Sequence, residues 1–157
     1  MFVSIHCDSH TSQAYGAGTF VMSVGKISQN LRVAKNENSV IFLENDIEKK
    51  YGGFNPNSPE SLIGSSLAVE EHLDQSILAA SLIQNNLVDD LKRNDRKVKQ
   101  DVFWVLHATA MPSVLVELGF LTNNSEGKYL NSKKGQDEMA ISIANAILKY
   151  KSSIGLN

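Results

Sequence analysis

Short apolar runs alternate with longer segments of helical periodicity along this chain, and few architectures accommodate that alternation. Four runs have the length and the β-branched or aromatic content of buried strands, at residues 2–6, 19–24, 102–106 and 113–116. Apolar residues recur at spacings of three and four from Leu73 to Leu91 and from Met139 to Tyr150, as on one face of a helix. The pattern predicts an α/β fold with a mixed, largely parallel sheet flanked by helices.

The remaining segments complete a single predicted domain over residues 1–157. We expect a helix over residues 28–45, a loop rich in glycine, proline and asparagine over residues 51–59, and a loop or short helix over residues 119–129. The helix that contains Leu73 should end in the charged segment at residues 92–99, which is predicted to be a solvated turn. Residues 46–74 are a candidate insertion on the sheet scaffold.

Composition excludes several classes of function. The 157 residues carry a net charge of -2, so the chain has no general attraction for nucleic acid or for an anionic membrane surface. No apolar run approaches the length of about 20 residues that spans a bilayer. The N-terminus lacks the features of a signal peptide. Cys7 is the single cysteine, which excludes an internal disulfide and a multi-cysteine zinc site.

Two titratable residues follow predicted strands, where functional groups of α/β sheets gather. His6 ends the first strand, and Glu117 directly continues the apolar run at residues 113–116. His6 is either hydrogen-bonded to backbone or a metal ligand, since imidazole is the commonest protein ligand for zinc. Glu117 is either a partner in a structural salt bridge or a general base beside a metal-bound water.

Other polar residues have simpler interpretations. Cys7 is expected to be a small buried residue on the strand face opposite His6, which argues against a thiol nucleophile. His10 is expected in a solvated loop, and two further histidines are expected to be structural, His72 and His107. Arg96 and its charged neighbours are assigned to the solvated turn, with contact to an acidic peptide or sugar carboxylate as the alternative.

Several motifs resemble the zinc-dependent N-acetylmuramoyl-L-alanine amidases of type 3, which act on bacterial cell walls. The resemblance covers essentially the whole chain. It is carried by FVSIHC at residues 2–7, TFVM at 19–22, VKQ at 98–100, FWVL at 103–106, AMPSVLVE at 110–117 and GFLTN at 119–123. The last two are the most specific.

The resemblance implies a site and a reaction. In that family two histidines and a glutamate hold Zn²⁺, and the later histidine lies in a motif that matches Ser4-Ile5-His6. The family's catalytic glutamate lies in a motif that matches residues 114–117. His6 is therefore expected to bind Zn²⁺, and Glu117 to act as the general base in hydrolysis of the amide bond between N-acetylmuramic acid and L-alanine of peptidoglycan.

The chain also departs from the family pattern. The family's first strand and first helix, which carry the other two zinc ligands, have no counterpart, so the chain resembles an N-terminally truncated member. Zn²⁺ binding is therefore expected to be weak or absent, because catalytic sites need about three protein ligands. The alternative function is a non-catalytic peptidoglycan-binding remnant, and a zinc carboxypeptidase is a more distant one. Gly18 replaces a frequent glutamate, and Lys97 a frequent glycine.

Regulation and location follow from the resemblance alone. In some relatives an inserted helix blocks the site with a glutamate, and Glu70 or Glu71 would be its counterpart here, with an activator protein as a partner. The cell envelope or periplasm is the expected location. Without the family's first strand, the strand at residues 2–6 would lie at an open edge of the sheet, which predicts low stability or self-association.

Overall fold

The computed structural model describes residues 1–23, 59–107 and 109–155, and for residues 59–69, 104 and 107 it describes the backbone alone. The predicted helix at residues 28–45, the loop at residues 51–58 and the first part of the candidate insertion, residues 46–58, lie outside the described residues.

The described residues form four strands and four helices. In chain order they are β1 (Phe2–Asp8), β2 (Ala17–Met22), α1 (Pro59–Asp89), β3 (Asp95–Asp101), α2 (Trp104–His107), β4 (Ser113–Phe120), α3 (Asn124–Leu130) and α4 (Lys133–Ser153). The predicted helices that contain Leu73 and Met139 are confirmed as α1 and α4. In the described part of the chain, no helix combines the length and apolar content needed to cross a membrane.

The strands form one mixed sheet in the order β1-β4-β2-β3. β1 is parallel to β4, and β2 is parallel to β3, whereas the central β2 and β4 are antiparallel. Two of the three strand pairs are therefore parallel, which confirms the predicted fold class. At one end of the sheet, the ends of β1 and β4 meet the beginnings of β2 and β3.

The two faces of the sheet bury separate apolar clusters. On one face, Val114 and Val116 pack against α1 and α4, together with Ala17, Val21, Ala79, Ala80, Ile83, Leu87, Met139, Ile143, Ala146 and Tyr150. On the other face, Leu115 packs with Phe20, Met22, Phe103 and Leu106. The alternation of residues along β4 decides which side chains lie on which face.

A buried glutamine fixes α1 to the sheet. The Gln84 amide donates to the carbonyl of Ala17 at 2.9 Å and to Asp95 Oδ1 at 2.7 Å, and its oxygen accepts from the Thr19 hydroxyl at 3.0 Å. Because Gln84 is only 4% exposed, these bonds are shielded from water. One side chain thus joins α1 to both β2 and β3.

Two predicted segments differ from the structure. The charged segment at residues 95–99 belongs to strand β3, not to a solvated turn, because Val98 packs against the core while the polar side chains occupy an outer strand. Residues 102–106 do not form a strand. Phe103 and Leu106, three positions apart, are both buried against Leu115, and the short helix α2 begins at Trp104.

Candidate active site

His6 and Glu117 are direct neighbours across the sheet. They are register partners in the parallel pair of β1 and β4, and Gly18 of β2 is the register partner of Glu117 on its other side. The register shifts between His6 and Asp8, so β1 bends just after the histidine. The two residues singled out by sequence therefore lie side by side near the ends of their strands.

Both side chains lie on the face opposite α1 and α4. Ser4 Oγ and His6 Nε2 are 2.7 Å apart, which holds the imidazole against the residue two positions earlier on the same side of β1. Glu117 follows Leu115 by two positions and therefore shares its face. Glu117 is 4% exposed and His6 is half-buried. A carboxylate and an imidazole thus share one partly enclosed surface.

A second buried carboxylate organises the backbone around this pair. Glu126 accepts hydrogen bonds from the backbone N–H of Gly16 at 2.9 Å and of Phe120 at 2.6 Å, and it forms an ion pair with Arg93. These donors come from the loop before β2, from the end of β4 and from the segment before β3. Glu126 therefore links the segments just before β2 and β3 to the end of β4, three residues beyond Glu117.

Sequence reasoning did not assign Glu126 a role, although a local pattern marks its position. Asn123 caps α3 by accepting from the backbone N–H groups of Ser125 and Glu126. An asparagine followed three residues later by a glutamate is the pattern of a capped helix start. Here the carboxylate turns to the strands instead of to the cap.

Gly119 allows this carboxylate to approach. Its φ of +153° is disfavoured for other residues, and a Cβ there would lie 2.6 Å from Glu126 Cδ. The glycine between Glu117 and Phe120 therefore lets β4 and Glu126 approach each other closely.

Cys7 and His10 stand apart from the pair. The Cys7 side chain is exposed, so the expectation of a buried residue is wrong. Partial desolvation, and then the charges of Glu117 and Glu126, raise the pKa of its thiol, which disfavours a nucleophilic thiolate. His10 is exposed as expected. Its Nδ1 accepts from the backbone N–H of Thr11 at 2.7 Å, and the ring stands edge-on to Phe120.

The remaining predicted residues lie elsewhere. Glu70 and Glu71 are exposed on α1, which packs on the other face of the sheet from His6. His72 is half-buried beside a small cavity near Ser113, at the beginning of β4. For His107 the structure describes the backbone alone. A regulatory contact by Glu70 or Glu71 stays a prediction.

A catalytic Zn²⁺ site needs about three protein ligands. No group of three or more histidine, cysteine, aspartate or glutamate side chains that could hold a metal occurs among the described residues. His6 is a suitable donor in type, but this part of the chain does not supply a full set. The pair fits one ligand and one base of such a site, not the whole of it.

Comparison with known proteins identifies the family. The family model of N-acetylmuramoyl-L-alanine amidases matches residues 1–149, nearly the full length of the chain. The chain belongs to this family. The resemblance carried by the motifs at residues 2–7 and 110–123 is thereby confirmed.

Individual relatives give the extent of the match. A protein named YqiI from Bacillus subtilis is 46% identical over 71 residues, which are 45% of this chain and 34% of YqiI. The amidase AmiA from Salmonella typhimurium is 27% identical over 166 residues, with 96% of this chain and 51% of AmiA covered. The chain therefore spans about half the length of AmiA.

A solved structure shares the fold. It is the CwlD amidase from Clostridioides difficile in complex with the GerS lipoprotein, with a TM-score of 0.62 and 27% identity. The match covers 98% of this chain and 55% of CwlD. The mixed sheet and its flanking helices are thus part of an amidase fold.

Proposed function

We propose that this protein hydrolyses the amide bond between N-acetylmuramic acid and L-alanine in peptidoglycan, with Zn²⁺ as its cofactor. The observation that carries the proposal is the register pairing of His6 with Glu117 at the ends of two parallel strands. Family membership and the similarity to AmiA support the substrate class. The products would be a free muramoyl lactyl group and a peptide that begins with L-alanine.

The proposed roles follow from the chemistry of the two side chains. His6 would donate one imidazole ligand, and the Ser4 hydroxyl at 2.7 Å would restrict rotation of the ring. When bound, Zn²⁺ supplies a Lewis acid that polarises the amide carbonyl and acidifies water. Glu117 would accept a proton from the attacking water and deliver it to the leaving amine of L-alanine.

A second function has its own supporting observation. The described residues bring together fewer than the three ligands that a catalytic zinc requires. A protein with the same surface and no bound metal would bind peptidoglycan without cleaving it. This non-catalytic role is the alternative to the amidase.

Zinc content and product release separate the two functions. The purified chain is loaded with Zn²⁺, its metal content is measured by mass spectrometry, and muropeptides are assayed for release of peptides that begin with L-alanine. Glu117→Gln should retain the metal and lose activity by about 10²- to 10⁴-fold, the usual contribution of a general base. His6→Ala should lose both, and His10→Ala, an exposed histidine nearby, should lose neither. A wild-type chain that binds muropeptides but has neither metal nor product would establish the non-catalytic role.

Location and regulation extend the same proposal. Peptidoglycan lies in the cell envelope, so the protein would act there. The complex of CwlD with the GerS lipoprotein is a precedent for an amidase of this fold that binds a partner. We propose a regulatory partner for this protein as well, with Glu70 and Glu71 as candidate regulatory residues.

A further inference from the structure

The backbone of β1 directs alternate residues toward β4 and away from it. The N–H of Phe2 donates to the Pro112 carbonyl at 2.8 Å, and the Asp8 carbonyl accepts from the N–H of Leu121 at 2.9 Å. The N–H and C=O of one strand residue point to the same side, and successive residues alternate. The residues whose groups point to the outer edge, where β1 has no neighbour among the described strands, are Val3, Ile5 and Cys7.

The side chains of β1 alternate between the two faces of the sheet. Ser4, His6 and Asp8 share the face opposite α1 and α4, and the 2.7 Å between Ser4 Oγ and His6 Nε2 agrees with this. Ile5 and Cys7 lie on the other face, and both are exposed, Ile5 to 55%. The helices on that face leave this part of β1 uncovered. The outer edge of β1 is therefore open to a second strand.

Two copies of β1 have a self-complementary antiparallel register centred on His6. When His6 lies opposite His6 of the second copy, Ile5 lies opposite Cys7. The outward-pointing backbone groups of these two residues then form the hydrogen-bonded pairs, and their exposed side chains cover each other. Asp8 lies opposite Ser4 of the second copy, so no like charges meet across the pair.

This register brings two imidazoles together on one face. His6 and its counterpart lie between two hydrogen-bonded pairs, where opposite Cα atoms are only about 4.5 Å apart. In the tautomer that donates from Nε2 to Ser4 Oγ, His6 binds metal through Nδ1. Two imidazole nitrogens, each about 2.1 Å from the ion, can hold one Zn²⁺ between the strands.

The second copy also supplies what one chain lacks. The described residues of a single chain contain no group of three metal-binding side chains. Two copies of His6 and one Asp8 make three protein ligands, the number that a catalytic Zn²⁺ needs. Asp8 is a diagonal neighbour of the second copy's His6, and its carboxylate, which accepts from Ser9 N–H at 2.6 Å, has further lone pairs. Glu117 lies one strand further out in each copy, beside His6.

We propose that two copies of this chain pair through β1 and share one Zn²⁺, which is bound by His6 of each copy and by Asp8. This inference rests on the part of the proposed function that gives His6 to Zn²⁺. An ion held by both chains stabilises the dimer and not the monomer. Dimerisation and metal binding are therefore linked, and each favours the other.

Metal stoichiometry and molecular mass test the shared ion. The chain is stripped of metal with a chelator and titrated with Zn²⁺, its mass is measured by light scattering after size-exclusion chromatography, and its zinc content by mass spectrometry. Zn²⁺ should lower the concentration of half-dimerisation by about tenfold or more, with one ion per two chains. His6→Ala should abolish this effect of Zn²⁺, and Asp8→Asn should lower the zinc affinity without changing the stoichiometry. The control His10→Ala removes an exposed histidine outside β1 and should behave as the wild type.

Disulfide cross-linking tests the register. Residue 5 and Cys7 of the second copy form a hydrogen-bonded pair with Cα atoms about 5.5 Å apart, within the range of a disulfide. Ile5→Cys should therefore give a covalent dimer when oxidised with diamide in the presence of Zn²⁺. The wild-type chain should not, because its two Cys7 residues are diagonal neighbours about 7–8 Å apart. The matched control, Ile5→Cys combined with Cys7→Ser, should also stay free of cross-links. Circular dichroism verifies that each variant is folded.

The outcomes separate this inference from the proposed function. A monomer that binds one Zn²⁺ per chain would overturn the shared site and leave the amidase proposal standing. A covalent dimer of the double variant would also overturn it, since residue 5 would then lie opposite itself and His6 would not face its counterpart. A chain that binds no Zn²⁺ at any protein concentration would overturn both the shared site and the zinc-dependent reaction.

Discussion

Glu126 illustrates how one side chain holds the site together. Its carboxylate is 5% exposed and receives two backbone N–H groups and the Arg93 guanidinium. The ring of Tyr129 lies 5.1 Å from the same guanidinium. Charge-assisted bonds of this kind are strong only while both partners remain charged and paired. The loop before β2 and the end of β4 therefore depend on one negative charge.

Glu126→Gln should destabilise the protein by about 3 kcal/mol or more, because it leaves the Arg93 cation buried without its counter-charge. The free energy of unfolding from urea titration measures the effect. The control is Asp137→Asn, which removes an exposed carboxylate paired with Lys133 and should cost less than about 0.5 kcal/mol. If Glu126→Gln lowered the free energy of unfolding by less than about 1 kcal/mol more than the control does, the negative charge would not be needed. Neutral hydrogen bonds from the glutamine amide would then be sufficient to hold the loop before β2 and the end of β4.

Sequence could predict His6 and Glu117 as candidates, because each directly follows an apolar run and strand ends are where α/β sheets place polar groups. The role of Glu126 could not be predicted in the same way. Its partners Gly16 and Arg93 are distant in sequence and meet it only after the sheet has assembled. The local cap at Asn123 indicates where α3 begins but not what Glu126 binds.

Strand β3 shows how an element can form against its own composition. Its residues are mostly charged or polar, and this composition predicted a turn. The neighbouring β2 supplies the ladder, and Val98 fills a place in the core, so the polar side chains are tolerated on an outer strand. Pairing with a distant segment therefore outweighed local preference.

The bulge in β3 contains a residue with an unfavourable backbone conformation. Lys97 has a φ of +71°, where residues other than glycine are strained. We expect Lys97→Gly to be more stable than Lys97→Ala by about 1 kcal/mol, because glycine adopts this conformation without a Cβ clash. Thermal and urea unfolding of both variants measure the difference.

The comparison of these two variants separates the effect of the backbone conformation at residue 97 from the effect of losing the lysine side chain. The side-chain hydrogen bond from Lys97 is the largest cause that lowers the pKa of Asp95 below its ordinary value, and both substitutions remove it equally. The backbone N–H of residue 97 also donates to Asp95, at 2.9 Å, and remains in both variants. If the alanine variant were as stable as the glycine variant, residue 97 would not be strained by its positive φ, and the prediction would be wrong.

At the scale of the whole molecule, sequence predicted the fold class and most elements but not the order of the strands. Apolar runs and helical periodicity are local, so they locate β1, β2, β4, α1 and α4. The order β1-β4-β2-β3 pairs segments that are distant in sequence, such as Phe2 with Ser113. Tertiary packing decides these pairings, and no local pattern encodes them.

Among the described strands, β1 has a neighbour on one side only, and its middle is apolar. The side chain of Ile5 is 55% exposed, although it belongs to a strand that pairs with the core strand β4. An open strand edge with an exposed apolar side chain is a template for pairing with another chain. The 157-residue chain is therefore expected to self-associate through β1 as its concentration rises.

Ile5→Lys should abolish this association, because a lysine on an edge strand opposes strand pairing by charge repulsion and by the cost of burying the ammonium. Light scattering after size-exclusion chromatography, over a wide range of protein concentrations, gives the oligomeric state of each variant. Ile141→Lys is the matched control, since Ile141 is 61% exposed but lies on α4, away from the strand edge. If Ile141→Lys dissociated the oligomer and Ile5→Lys did not, the helical face would be the interface. A wild-type chain that stays monomeric at every concentration would contradict the predicted association. It would show that the edge of β1 is protected from pairing with another chain.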